Sequence, residues 1–197
     1  EMLKQRPAGD KSWPIACSDT ALGNSSKELD LSGAHLSYGD FKDATFMGAG
    51  EIKLNGAGLA NADLRGSKLT ADGDKGNALI DLTDADLTNA DLSGSELTAV
   101  TAGVYGASTI DFTEATLANT DMSNSTLTAT GGTNALIDFT EANLTNADLG
   151  GSELTAISIR TDSYGDFTID FTEATLANAD LSGSILTADS IIGLPPS

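Results

Sequence analysis

Cysteine, histidine, tryptophan and, over most of its length, positive charge are nearly missing from this 197-residue chain. The single cysteine, Cys17, excludes an intramolecular disulfide and is expected to be a small residue packed beside Trp13 and Ile15. One histidine, His35, and one cysteine leave no His/Cys set from which to assemble a metal centre. The stretch Asp72-Gly-Asp74-Lys-Gly76-Asn77 has the look of a calcium loop but lacks its third ligand, its correctly placed glycine and its closing glutamate. No P-loop, GxGxxG or nucleophile elbow is present. Ser and Thr are plentiful, yet none has a general base beside it in a recognisable motif. The sequence therefore predicts no enzyme, no catalytic residues, no cofactor and no metal. Apolar runs are also short, none approaching the roughly 18 residues of a membrane span. The chain opens at Glu1 without an initiator Met, a basic stretch or an apolar leader, which reads as a targeting segment removed or an end trimmed.

Charge is abundant but of one sign. The formal net charge is −19, and it is unevenly placed. Residues 1–75 carry nine Lys/Arg against eleven Asp/Glu, whereas residues 76–197 carry 18 Asp/Glu against Arg160 alone. Such a field repels phosphates and anionic lipid and attracts basic protein surfaces. Direct nucleic-acid binding is disfavoured; a protein partner with a basic surface is the expectation.

What the chain does have is a period of five. Every fifth residue is a Leu or Phe, preceded two positions earlier by Ala, Ser or Ile, as in Ile80-Asp-Leu82, Ala85-Asp-Leu87, Ala90-Asp-Leu92 and Ser95-Glu-Leu97. The same run recurs over 110–127, 137–154 and 169–186. Five is neither the 3.6 of a helix nor the 2 of a strand, so it marks a repeat architecture. The A-[DN]-L-x-x unit resembles the pentapeptide-repeat family. That resemblance covers roughly residues 29–188 and implies an all-β, right-handed, four-sided β-helix, one pentad per side.

On that reading the central residues form six coils of four: Leu31/Leu36/Phe41/Phe46, Leu54/Leu59/Leu64/Leu69, Leu82/Leu87/Leu92/Leu97, Phe112/Leu117/Met122/Leu127, Phe139/Leu144/Leu149/Leu154 and Phe171/Leu176/Leu181/Leu186. Stacked, these are the expected core columns, with Leu82, Leu87, Leu92, Leu97, Phe112, Phe139 and Phe171 at their heart. Residues 1–28 and 189–197 fall outside the pattern and read as end caps or tails, the second closed by Pro195 and Pro196, which stop further pairing.

The coils are not contiguous. From the fourth side of one to the first side of the next, the step is 8, 13, 15, 12 and 17 residues instead of five. Insertions thus enter at one corner after every coil, and loops at 71–79, 99–109, 129–136 and 156–168 are expected to stack along it. Insertions gathered on one face of a repeat protein often build its binding face. Tyr105, Tyr164 and Arg160 are the candidate contact residues there, since an aromatic with few rotors contributes strongly to an interface. A longer repeat lies on top: 77–99 matches 134–156 and 108–129 matches 167–188, as a duplicated two-coil unit would.

Asp40, Asp63, Asp91, Asp121, Asp148 and Asp180 fall in one column and Asp30, Asp81, Asp111, Asp138 and Asp170 in another. Neighbouring carboxylates about 5 Å apart repel by roughly 0.8 kcal/mol in water. The resemblance implies that each instead binds backbone amides at a corner, which stabilises the carboxylate. For function it implies a rigid acidic scaffold docking onto a larger assembly, similar to proteins of cyanobacteria and of the thylakoid lumen, with a photosynthetic membrane complex as the setting. The alternative it implies is a DNA mimic acting on a DNA-binding enzyme such as gyrase.

Overall fold

The computed structural model describes residues 16–74, 76–160 and 165–194. Trp13, Ile15 and Tyr164 lie outside them. Fourteen short strands occur in the described residues, and they alternate between two sheets. One holds β1 (Ala21–Asn24), β3 (Thr45–Ala49), β5 (Lys68–Asp72), β7 (Glu96–Val100), β9 (Thr126–Gly131), β11 (Glu153–Ser158) and β13 (Ile185–Thr187). The other holds β2 (Leu29–Asp30), β4 (Glu51–Lys53), β6 (Ala78–Asp81), β8 (Ala107–Asp111), β10 (Asn134–Asp138), β12 (Phe167–Asp170) and β14 (Ser190–Ile192). All pairing within both sheets is parallel, each strand bonding the equivalent strand one circuit later. The two remaining sides are columns of single parallel bridges, Gly58↔Asp86↔Thr116↔Asn143↔Thr175 and Asp40↔Asp63↔Asp91↔Asp121↔Asp148↔Asp180. The molecule is a four-sided β-solenoid.

Each sheet has seven rungs where the pentads predict six coils. The extra strands are β1 and β14, drawn from the segments read as caps. β1 pairs in register with β3 (Leu22↔Phe46), and β14 with β12 (Ile169↔Ile191), so Leu22 and Ile191 continue core columns without any flanking pentad.

Packing follows from the period. Leu and Phe at each centre point inward; Leu87, Leu97, Phe112, Leu117, Leu127, Phe139, Leu144 and Phe171 are fully buried, and Leu82 and Leu92 nearly so. Ala or Ile two residues earlier fills the space between. Phe112, Phe139 and Phe171 stack face to face with centroids 4.9 Å apart at 3° and 4°. Isolated rings prefer an offset or edge-on approach. Here the strand spacing of about 4.8 Å sets the stack, and neighbouring rungs leave the rings no freedom to tilt.

Three of the four corners turn identically in each circuit. At each, the third residue of a tight turn has positive φ, and the next N–H closes onto the carbonyl three residues back, as in Ala85 N–H to Leu82 and Ala90 N–H to Leu87. Asn61, Asn89, Asn119, Asn146 and Asn178 hold one such column, and Asn tolerates this backbone. Their amides also bond along the column, Asn146 Nδ2 to Asn119 Oδ1 at 3.0 Å and Asn178 Nδ2 to Asn146 Oδ1 at 3.1 Å. Another corner places Glu114, Glu141 and Glu173 at φ 57–58°, a conformation unfavourable for a residue with a Cβ. Glu141→Gly should therefore raise stability by about 1 kcal/mol by relieving that strain, read as a higher urea midpoint at unchanged slope. A lower midpoint would show that the glutamate side chain contributes more than its backbone costs.

Candidate protein-docking corner

The fourth corner lies between the ends of β3, β5, β7, β9 and β11 and the starts of β4, β6, β8, β10 and β12. Much of the inserted sequence is strand and not loop: β7 runs to Val100, β9 to Gly131 and β11 to Ser158, past the pentad in each case. The connections shrink to 73–77, 101–106, 132–133 and 159–166, shorter than the four loops the spacing predicts. The reason is that parallel pairing continues past the last central Leu, with Ala71↔Ala99↔Ala129↔Ala156 buried beneath it.

These connections stack on one another. Ala102 N–H donates to the Asp74 carbonyl (2.9 Å) and Ala107 N–H to Asn77 Oδ1 (3.0 Å). One rung on, Gly132 and Thr133 N–H groups donate to the Gly106 carbonyl at 2.8 and 3.1 Å, and Asp166 N–H donates to Asn134 Oδ1 at 3.3 Å. Glycine makes the close approach feasible: a Cβ on Gly131 would sit 1.9 Å from the Asn134 carbonyl oxygen, and one on Gly106 2.3 Å from that of Gly76.

The stack carries exposed apolar side chains. Tyr105 is 83% exposed and Val104 45%, both in the 101–106 turn. Two rungs on, Ile157 and Ile159 are 39% and 42% exposed. Ile157 pairs with Thr130 and Thr130 with Val100, so Ile157 and Val100 share one outward column leading into this corner. Arg160 also lies at this corner, its N–H donating to Ser158 Oγ at 2.9 Å. With Ala156, Ile157, Phe167, Ala188 and Asp189 it lines a cleft of about 290 Å³. Tyr105 and Arg160 thus share one edge of the solenoid, on rungs separated by the 132–133 turn. The isoleucines were missed as site residues because 156–168 reads as loop. Strict alternation of Leu154 and Ala156 inward with Thr155 and Ile157 outward is the signal that could have found them.

Electrostatics divide the rod along its axis. Near β2–β7 three of the cations are paired: Lys53 with Glu28 and Glu51 (both 2.9 Å), Lys68 with Glu96 (2.9 Å), and Arg65 with Asp63 (2.6 Å) and more loosely Asp91 (3.6 Å). Beyond them the Asp columns use one carboxylate oxygen to accept the N–H two residues on: Asp111 from Thr113 and Asp138 from Thr140 at 2.8 Å, Asp121 from Ser123 at 2.9 Å. That corner bonding is what holds like charges in line. Side-chain bonding by Arg65 pulls the Asp63 pKa down, and the Ser182 amide and hydroxyl do the same for Asp180. A carboxylate with a depressed folded pKa stabilises above its unfolded pKa, near 3.9, and that contribution is lost as pH falls through the folded value. Arg65→Gln should accordingly lower the melting temperature at pH 7 and have a smaller effect at strongly acidic pH, as Asp63 becomes protonated in the folded state too. An equal effect at the two pH values would mean that Arg65 acts by packing alone.

Among the described residues no helix is long and apolar enough to cross a membrane. The family model for pentapeptide repeats matches residues 80–101 and 137–157, with eight copies of the repeat. No curated protein sequence matches the chain. Similar solved structures include the pentapeptide repeat protein Rfr23 from the cyanobacterium Cyanothece 51142, 20% identical over 69% of this chain and 91% of that one, with a TM-score of 0.29. HetL from Nostoc sp. strain PCC 7120, a pentapeptide repeat protein involved in heterocyst differentiation regulation, is 21% identical over 92% and 89% of the two chains (TM-score 0.24). A pentapeptide repeat protein from the Arabidopsis thaliana thylakoid lumen is 22% identical over 73% and 68% (TM-score 0.22). With matched pentads in coils whose Leu centres are buried and whose Asp side chains close the corners, the chain carries pentapeptide repeats over 80–101 and 137–157.

Proposed function

We propose that this protein is a non-catalytic scaffold whose inserted corner docks a basic protein surface within a larger assembly. The observation that carries the reading is the stacked corner itself: Val104, Tyr105, Ile157 and Ile159 exposed on hydrogen-bonded turns, backed by coils whose only cation is Arg160. Rigid display of an aromatic anchor lowers the entropy lost on binding, and the acidic body speeds encounter with a basic partner. The sequence resemblance to pentapeptide-repeat proteins of the thylakoid lumen makes a photosynthetic membrane complex, approached from the lumenal side, the first assembly to test. A photo-crosslinking residue at position 105 should capture a specific partner subunit there, and one at Ser93, on another side of the same coil, should not. Equal capture from both positions, or capture from 93 alone, would move the docking face off the corner.

One observation favours the second reading, a DNA mimic. A net charge of −17 on residues 76–197 is spread over four circuits and β14. At about 4.8 Å per rung that is roughly one charge per 1.4 Å, close to the 1.7 Å of duplex DNA. Inhibition of gyrase supercoiling at stoichiometric protein, lost on neutralising the Asp91, Asp121, Asp148 column to Asn, would establish this reading in place of the first.

A further inference from the structure

The corner between the second and third sides carries a side-chain ladder that its backbone does not require. Its left-handed position is Tyr38, Asn61, Asn89, Asn119, Asn146 and Asn178 on successive rungs. The two other tight corners hold the same backbone with mixed residues, from Gly33 to Glu173 at one and from Asp43 to Gly183 at the other. Glycine, acid and amide all meet that φ, so an unbroken run of asparagine answers to its side chains. All five amides are exposed, and they bond along the axis: Asn89 Nδ2 to Asn61 Oδ1 at 3.5 Å, Asn146 to Asn119 at 3.0 Å and Asn178 to Asn146 at 3.1 Å. An amide has two donor hydrogens and two acceptor lone pairs, so each rung keeps a donor and an acceptor for a ligand. A hydroxyl, which donates and accepts at once, fits that pair.

The columns beside the ladder alternate from rung to rung. Ala60, Thr88, Ala118, Thr145 and Ala177 stack directly before the corner, their carbonyls accepting from the N–H groups of Tyr38, Asn61, Asn89, Asn119 and Asn146. Methyl and hydroxyl therefore alternate, with a period of two rungs inherited from the duplicated two-coil unit. The next column, Asp86, Thr116, Asn143, Thr175, keeps the same period: carboxylate or amide beside each Thr, hydroxyl beside each Ala. Thr145 Oγ1 donates to Asn143 Oδ1 at 2.6 Å, which leaves its lone pairs to accept. A polymer reading this corner must advance one unit per rung of about 4.8 Å and turn its opposite edge to the protein on alternate units. An extended β-1,4-linked glycan does both, since each pyranose advances by about one rung and is turned over relative to its neighbours.

We propose that the asparagine corner binds an extended β-1,4-linked glycan laid along the rod. Its hydroxyls bond successive amides, its C–H faces rest on the Ala methyls, and its alternating edges meet Thr88 and Thr145. Tyr38, 45% exposed at the head of the column, offers an aromatic face to a terminal sugar. The ladder orients the amides before binding, which lowers the ordering cost. Each such hydrogen bond contributes little in water, so affinity has to accumulate along the chain of sugars. A neutral glycan is not repelled by the acidic body. The site lies on a different corner from the inserted one and does not rest on the docking reading.

The test titrates the intact protein with cellohexaose, with cellobiose as the short control and maltohexaose as the α-linked, curved control of equal length. Cellohexaose should bind at one site per chain, and both controls at least tenfold more weakly. The triple variant Asn89→Gly/Asn119→Gly/Asn146→Gly keeps a residue suited to the backbone, as Gly94 shows at another corner at φ 66°, and should stay folded while losing cellohexaose binding at least tenfold. Thr88→Ala/Thr145→Ala leaves the ladder intact and removes the alternation, and should weaken binding severalfold. Tyr105→Ala should leave it unchanged. Absence of cellohexaose binding would overturn the proposal, as would equal binding of cellobiose or maltohexaose, since the recognition would then be of hydroxyls without the period. Undiminished binding by the Thr88→Ala/Thr145→Ala variant or by a folded triple variant would likewise overturn it and leave the ladder a stabilising device alone.

Discussion

Replacing Leu92 with Asp should unfold the middle of the rod, a loss of about 5 kcal/mol or more. Leu92 is 2% exposed on the third side, its N–H bonded to the Asp121 carbonyl and its own carbonyl accepting from Ser125 Oγ at 2.9 Å. It sits between Leu64 and Met122 of the adjacent rungs, with no buried cation among the described residues to meet a carboxylate. An unpaired buried charge costs far more than the cavity left by Leu92→Ala, itself worth about 2–5 kcal/mol. In a stacked array each coil is stabilised by its neighbours, so failure of one rung uncouples the segments on either side. Circular dichroism should show lost β signal at 25 °C for Leu92→Asp, and a folded but earlier-melting protein for Leu92→Ala. An unchanged melting temperature for the Asp variant would mean that the assigned register is wrong.

The register was readable because a period of five puts one large inward residue at the centre of each side, and every such central position of the six coils carries Leu, Phe or Met. The ends were less legible for a physical reason. Leu22 and Ile191 complete their columns through backbone pairing alone, without the turn residues that make a pentad recognisable. The inserted corner was half legible. Its location follows from where the step exceeds five, and Tyr105 stands out as an aromatic in a Gly-flanked turn. Its strand extensions did not, since Gly, Thr and Ala are as common in turns as in a strand packed against its copy, and only the Ala71–Ala99–Ala129–Ala156 ladder reveals the second. The acidic columns illustrate the converse: their charge is obvious in sequence, but what makes it tolerable, an N–H two residues on at 2.7–3.2 Å, is visible only in the fold.

Truncating the aromatic anchor should have the largest effect on association. Tyr105→Ala is expected to weaken partner binding by about 2 kcal/mol or more, roughly thirtyfold, while leaving stability within about 0.5 kcal/mol. The expectation rests on the docking reading and on position. The Tyr105 backbone is held by the stack through its carbonyl, which accepts from Thr133 Oγ1 at 3.4 Å, while the side chain is 83% exposed. Ile157→Asp, on the far side of the Thr130 column, should weaken the same partner by a similar factor if the patch is continuous. The pair should then be non-additive, because removing one anchor lets water into the contact of the other. The measurement is the association and dissociation kinetics, and the resulting affinity, of each single variant and the double at two salt concentrations. Long-range attraction from the acidic body falls as the Debye length shortens from about 10 Å at 0.1 M towards 3 Å at 1 M, so salt should slow association for all variants alike. The two substitutions should act instead on dissociation. If Tyr105→Ala left dissociation untouched and only the salt dependence mattered, the corner would be a spectator and the acidic faces of the solenoid would be the binding surface.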